Sequence, residues 1–343
     1  MPKQGILLIN LGSPDSTGVG DVRRYLRQFL MDGRVLDAPW PIRFCVVHGA
    51  ILPKRPIESA KAYEKIWQPE GSPLIISSQA ICDEMERRFP GAAVELAMRY
   101  QNPSVESALG KLKEQGVRSL MVFPLFPHYA MSSYESAVER VRVVAGKLAP
   151  EMDLRIVPPY YDDEDYIEAL VESAAEYLRQ DFDHLLFSFH GIPERHLRKS
   201  DPSGCHCLAS ADCCSGDHPS HATCYRAQCF KTMRAFVEKA GVPTDKYSYA
   251  FQSRLGRDPW LKPYTDKVIE EMPGKGIKRL LVICPVFISD CLETIEEIGM
   301  RAKEDFEQAG GDSLQLIPCL NEHPRWLDAM ETIAKRYLVV EGN

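Results

Sequence analysis

The chain has 343 residues, 45% of them hydrophobic and 26% charged, and its 41 basic and 48 acidic residues leave a formal charge of −7. That length exceeds what one hydrophobic core usually organises and points to two domains. Net acidity without a basic block argues against a nucleic-acid partner, and no apolar run approaches the ~20 residues that span a bilayer.

In chain order, the first apolar run is Ile6 to Ile9, ended by Asn10. It is too short for a signal-peptide core and lacks a small-residue cleavage site, so the chain is expected in the cytosol. The same run, GILLINL, reads as a buried strand. Val22, Leu26, Phe29 and Leu30 then fall at i, i+4, i+7 and i+8, the apolar face of a helix. Residues 27–52 are rich in large apolar side chains, among them Met31, Trp40, Ile42 and Phe44, yet are broken by Gly33, Pro39 and Pro41. One continuous helix is excluded there, so some apolar side chains are expected on a loop, over a flat ligand or against a membrane surface. Further strands are expected at AVELAMR (93), SLMVFPLF (119), HLLFSFH (184), YSYAFQS (247) and LLVICPVF (280). Helical segments separate them, which predicts an α/β protein with doubly wound parallel sheets.

The sequence also echoes itself. LLINLGSP (7–14) resembles LLFSFHGIP (185–193), and RSLMVFPLF (118–126) resembles RLLVICPVF (279–287). Two similar Rossmann-like halves around a central cleft are predicted, residues 1–165 and 166–343, the second carrying a cysteine-rich insertion at 203–230. Ligands of such folds meet the carboxyl ends of strands.

His190 ends a strand before a Gly-Ile-Pro turn, where an imidazole can accept a proton or bind a metal. His196 reads as a solvated helix residue. Asp290 reads as the N-cap of a helix that places Glu293 and Glu297 on one face, a repulsive pair unless a cation or proton lies between them. The same acids also suit a first helical turn. Arg99, Tyr100, Ser72 and Tyr63 are candidate polar anchors. Six of the eleven cysteines (205, 207, 213, 214, 224 and 229) crowd into one segment with His206, His218 and His221. In a reducing cytosol that pattern favours a metal site over disulfides.

Taken together, NLGSP, FLMDGRVLDAP, EGSPL, MRYQNPS, FPLFPHY, LFSFHGIP, FQSRLGRDPWLKPYTD and CPVFISDCLETIEEI resemble the ferrochelatases, in family order and over nearly the whole chain. The resemblance implies an enzyme inserting Fe(II), as substrate, into a porphyrin, protoporphyrin IX or a carboxylated precursor, in the last step of haem synthesis. It implies that His190 is the active-site histidine, Glu293 the glutamate opposite it, and Glu297 an acid on a metal or proton path. It implies porphyrin-lining roles for Leu11, Met31, Tyr63, Arg99, Tyr100, Trp260 and Phe287, and peripheral contact of the Leu30–Phe44 stretch with a membrane. Cys291 stands where some members have a histidine. The alternatives are a cobalt or nickel chelatase for another tetrapyrrole, which would use paired histidines, and a two-lobed haem or porphyrin carrier.

Some family members bind a [2Fe–2S] cluster through a C-terminal extension and a residue near the Pro-x-Tyr turn. Here that residue is Met131 and no cysteine follows Cys319, so the arrangement is impossible. Other bacterial members resemble this chain in carrying an internal cysteine-rich insertion. Adjacent Cys213 and Cys214 do not suit one iron, so the implied ligands of a [2Fe–2S] cluster are Cys207, Cys214, Cys224 and Cys229, with Cys205 as alternate. Zinc, or no metal, remain the other readings. The metal is expected to order the insertion.

Overall fold

A computed structural model describes residues 3–254, 256 and 258–338. Among these residues, eight strands form two four-stranded sheets. The first holds β1 (Lys3–Asn10), β2 (Ala93–Met98), β3 (Val117–Pro124) and β4 (Asp153–Ile156) in the order β2-β1-β3-β4. The second holds β5 (His184–His190), β6 (Tyr247–Gln252), β7 (Arg279–Ile283) and β8 (Ser313–Leu316) in the order β6-β5-β7-β8. Every pairing is parallel. The two sheets have the same topology, which is the physical content of the sequence echo.

The strands read as unbroken apolar runs because both faces are covered, as parallel sheets require. Ile6 to Ile9 are fully buried, as are Leu185, Leu186, Phe187 and Phe189. Around β7 the core gathers Leu186, Ala250, Ile269, Leu280, Val282, Ile298 and Phe306. The apolar runs of the sequence do not announce β4 and β8, edge strands of four residues in which exposed positions alternate with partly or fully buried ones.

Contacts divide the chain into two compact units, one per sheet. The first runs up to Phe126, resumes at Met131–Pro159 and includes the chain from Leu327; the second holds Pro127–Ala130 and Tyr160–Trp326. His128 shows why four residues after β3 group with the second sheet. Its ring is buried, Nε2 lies 2.8 Å from Thr232 Oγ1, and the neighbouring Tyr129 N–H donates to Gln228 Oε1 at 2.7 Å.

Two local expectations are corrected. The expected loop is there between Leu30 and Trp40 and carries Met31, Val35 and Leu36, but Trp40, Ile42 and Phe44 are not on it: Trp40–Cys45 is a helix that continues into a π-helical turn, Val46–Ile51. Pro41 is tolerated because it lies in the first turn, where no N–H partner is lost. His196 is buried, not solvated.

Candidate active site

In both sheets the chain winds first to one side of the opening strand and then to the other, so the ends of β1 and β5 are topological switch points. The two sequence-related glycines sit there. Gly12 has φ +106°, and a Cβ on it would collide with the carbonyl oxygen of Tyr100. A Cβ on Gly191 would lie 2.8 Å from Ser253 O and 2.9 Å from Gln252 O. Only glycine permits such approach of neighbouring backbones.

In the second unit, His190 is half-buried at the end of β5, with Nδ1 2.6 Å from the carbonyl oxygen of Gly191. A ring nitrogen facing a carbonyl carries the proton, which leaves Nε2 bare and able to accept a proton or a metal. Gly191 N–H donates to Gln252 O at 2.6 Å. Buried Gln252 accepts from Ser188 Oγ at 2.8 Å and donates through Nε2 to Glu293 O at 3.0 Å. The histidine strand is thereby tied to the glutamate segment.

That segment starts as one α-turn, Leu292–Thr294, and continues as a π-helix, Ile295–Ala302. π-Turns of this kind concentrate at functional sites, and regular i, i+4 spacing gave no hint of it. Burial pushes the Glu297 carboxyl up, and the charge of Glu293 pushes the same way; Ser253, His190 and Arg301 oppose the shift. Ser253 Oγ donates to Glu297 Oε2 at 2.7 Å from a backbone at φ 60°, uncommon for a non-glycine residue and found here beside the carboxylates. The Arg301 guanidinium sits 2.6 Å from Glu296 and 3.8 Å from Glu297. The Phe287 ring meets His190 edge-on at 6.2 Å, and Trp260 Cε3 lies 3.4 Å from where a Gly191 Cβ would be.

Asp290 is not the N-cap. Cys291 fills that place in a capping box with Thr294. Asp290, one residue earlier, accepts from Thr294 Oγ1 at 3.0 Å and Asn321 Nδ2 at 2.7 Å.

In the first unit, Tyr100 N–H donates to Leu11 O at 2.9 Å. Arg99 Nη2 pairs with Asp32 at 2.5 Å, its Nε donates to Ser136 Oγ at 2.7 Å, and Tyr100 OH donates to Asp32 at 3.0 Å. Burial raises the Asp32 pKa, but the Ser136 hydroxyl, the Arg34 N–H and the Arg99 charge together hold it below the usual value. Tyr63 and Tyr100 are buried, each edge-on to Tyr25. Met31 packs on Leu30, Val47 and Leu52. Asp32 and Ser136 escaped the sequence reading because they meet Arg99 only through the fold.

The family model for ferrochelatase matches residues 3–338. A ferrochelatase of Ectopseudomonas mendocina is 50% identical over 337 residues, 98% of each chain, and one of Opitutus terrae is 51% identical over 340 residues, 98% of this chain and 99% of that one. The chain belongs to the ferrochelatase family. It is accordingly a lyase, and the family's reaction puts ferrous iron into a porphyrin for haem synthesis. Among solved structures, SirB from Bacillus subtilis with Fe3+ superposes with a TM-score of 0.57 at 14% identity, over 98% of this chain and 95% of that one, a likeness of fold alone.

The cysteine-rich segment of this ferrochelatase is held by its own polar groups. The buried Asp201 carboxylate accepts from Ser203 N (2.9 Å), Ser203 Oγ (2.7 Å), Ser220 Oγ (2.6 Å), His206 N (2.8 Å) and Cys207 N (2.8 Å). Those bonds hold its pKa far below the carboxylate range against the opposing effect of burial. These bonds tie Ser203, His206, Cys207 and Ser220 to one carboxylate. Cys207, Cys214, Cys224 and Cys229 are buried and Cys205 is exposed; all are free thiols. Burial pushes the Cys207 thiol up, and the neighbouring Cys224 thiol together with burial pushes that of Cys214 up. Arg226 donates to Cys214 Sγ at 3.3 Å and Cys213 Sγ at 3.4 Å. Among the described residues, no three His, Cys, Asp or Glu side chains are arranged to hold a metal ion.

Proposed function

We propose that this ferrochelatase inserts Fe(II) into protoporphyrin IX or a more carboxylated precursor, with His190 and Glu293 as its catalytic residues and Glu297 on the metal or proton path. The observation that carries the reading is the bare Nε2 of His190 in a site shared with two carboxylates, one of them biased by burial and like charge toward holding a proton. Insertion is not a redox step: Fe(II) enters, two pyrrole N–H bonds break, and two protons leave. His190 Nε2 can accept one proton or receive the iron first. Glu297, with its raised pKa, suits the other proton, and Glu293 supplies negative charge to draw the cation.

Leu11, Met31, Tyr63, Arg99, Tyr100, Trp260 and Phe287 are proposed to act on the porphyrin, with Phe287 and Trp260 framing His190. The exposed column of Trp40 (60% exposed) and Phe44, ring centroids 5.2 Å apart, supports peripheral contact of the proposed cytoplasmic enzyme with a membrane that holds the apolar substrate. No helix among the described residues is long and apolar enough to cross a membrane.

A [2Fe–2S] cluster on Cys207, Cys214, Cys224 and Cys229 is supported by the burial of four neighbouring thiols, although they do not stand in a ligating arrangement. No step of the insertion runs through it. Protein purified without oxygen, with iron supplied during expression, tests this through about two irons and two sulfides per chain and dithionite-bleached colour.

Anaerobic incubation with Fe(II) and either protoporphyrin or coproporphyrin, followed optically, tests the function. Repeated turnover to the iron porphyrin supports the enzyme; stoichiometric binding without turnover would make the chain a carrier.

A further inference from the structure

We propose that Tyr225 is a positioning residue through which the cysteine-rich segment fixes the backbone of His190. This inference rests on the reading of His190 above. Tyr225 is the first residue of the helix Tyr225–Ala240 and directly follows Cys224, its N-cap. The side chain is buried, its ring lies 6.1 Å from that of His128, and its hydroxyl donates to the carbonyl oxygen of His190 at 2.8 Å.

That hydrogen bond acts where the sheet no longer does. Pairing of β5 with β7 ends at Phe187 and Ile283, three residues before His190. Past that point the strand is held on one side by β6, through His190 opposite Gln252 and the Gly191 N–H bond to Gln252 O. On the other side the Tyr225 hydroxyl takes up the His190 carbonyl, a group that would otherwise lose its partner. The 190–191 peptide is thereby held from both sides, and it anchors Gly191, whose carbonyl faces His190 Nδ1 and so sets which ring nitrogen is bare.

The other end of the link is the thiol segment. Residues four apart on a helix are neighbours, so the buried Cys229 lies one turn from Tyr225 on the same face of the helix. The buried Cys229 side chain therefore helps to seat the Tyr225 ring in the place from which its hydroxyl reaches His190.

The test is Tyr225→Phe, which keeps the ring and removes the hydroxyl. Porphyrin KM should stay within about twofold while kcat falls about three- to tenfold, the equivalent of one lost hydrogen bond. In metal-free protein with 15N-labelled histidine, the His190 ring should change from one tautomer to a mixture. Cys229→Ala should lower kcat in the wild-type background and add little in the Tyr225→Phe background. Unchanged kcat and ring signals, or a parallel loss of kcat, porphyrin affinity and thermal stability, would overturn the proposal. Where Cys229→Ala does not fold, the ring signals alone decide it. A His190→Ala enzyme that still inserts iron would instead sink the reading of the site.

Discussion

His128→Gln should flatten the acid side of the stability profile, and the size of the effect follows from one side chain. His128 is fully buried, and burial pushes its pKa from 6.5 to about 3. The Thr232 hydroxyl donates to Tyr161 O at 2.6 Å, so its lone pair faces His128 and the imidazole proton is on Nε2. Nδ1 is buried with no hydrogen-bond partner among the described residues, so a second proton would have no acceptor there. The unfolded chain takes up that proton below about pH 6.5 and the folded chain does not until about pH 3, so the contribution to stability is complete above 6.5 and declines as pH falls. The slope approaches about 1.4 kcal/mol per pH unit, or roughly 2–3 kcal/mol between about pH 7.5 and 4.5. Urea unfolding of both proteins at several pH values in that range isolates the effect of His128, because other titrations cancel in the difference. Gln retains an N–H for Thr232 and cannot titrate. Parallel pH curves for the two proteins would refute the reasoning.

Glu297→Gln should be milder in activity than Glu293→Gln and should alter metal dependence first, as measured by insertion rates with different divalent ions; equal and total loss would contradict that ranking. Because the folded pKa of Glu297 is raised, its contribution to stability is present below the unfolded value of about 4.5 and lost as pH rises through the folded one, so Glu297→Gln should lose less stability between about pH 4.5 and 7.5 than the wild type. Asp201→Ala should leave several donors unpaired and open the cysteine-rich segment, seen as faster labelling of Cys207 by a thiol reagent; unchanged labelling would show that something else holds it. Met31→Ser with Trp40→Ser should raise porphyrin KM more than it lowers thermal stability, and the reverse would return those residues to the core.

The features legible in the sequence were those written in local pattern. Ile6–Ile9 and Leu185–Phe189 announced buried parallel strands, and the glycines after them marked the switch points, because only glycine fits a backbone packed against its neighbour. His190, Glu293 and Phe287 were readable by motif. The π-turn at Ile295–Ala302 was not, since its apolar spacing reads as ordinary helix. Asp32 and Ser136 become partners of Arg99 only when residues 67 and 37 positions away fold beside it. Asp201 left one usable trace, the Asp-Pro-Ser turn that opens the cysteine-rich segment. The Tyr225 bond to His190 left none, because a tyrosine at a helix start looks like core.

The most direct test of the site is His190→Ala, assayed anaerobically for both porphyrin binding and Fe(II) insertion. The arrangement of Nε2 beside the carboxylates predicts loss of insertion with porphyrin affinity largely retained. Affinity falling in step with activity would make His190 a structural residue and contradict the account.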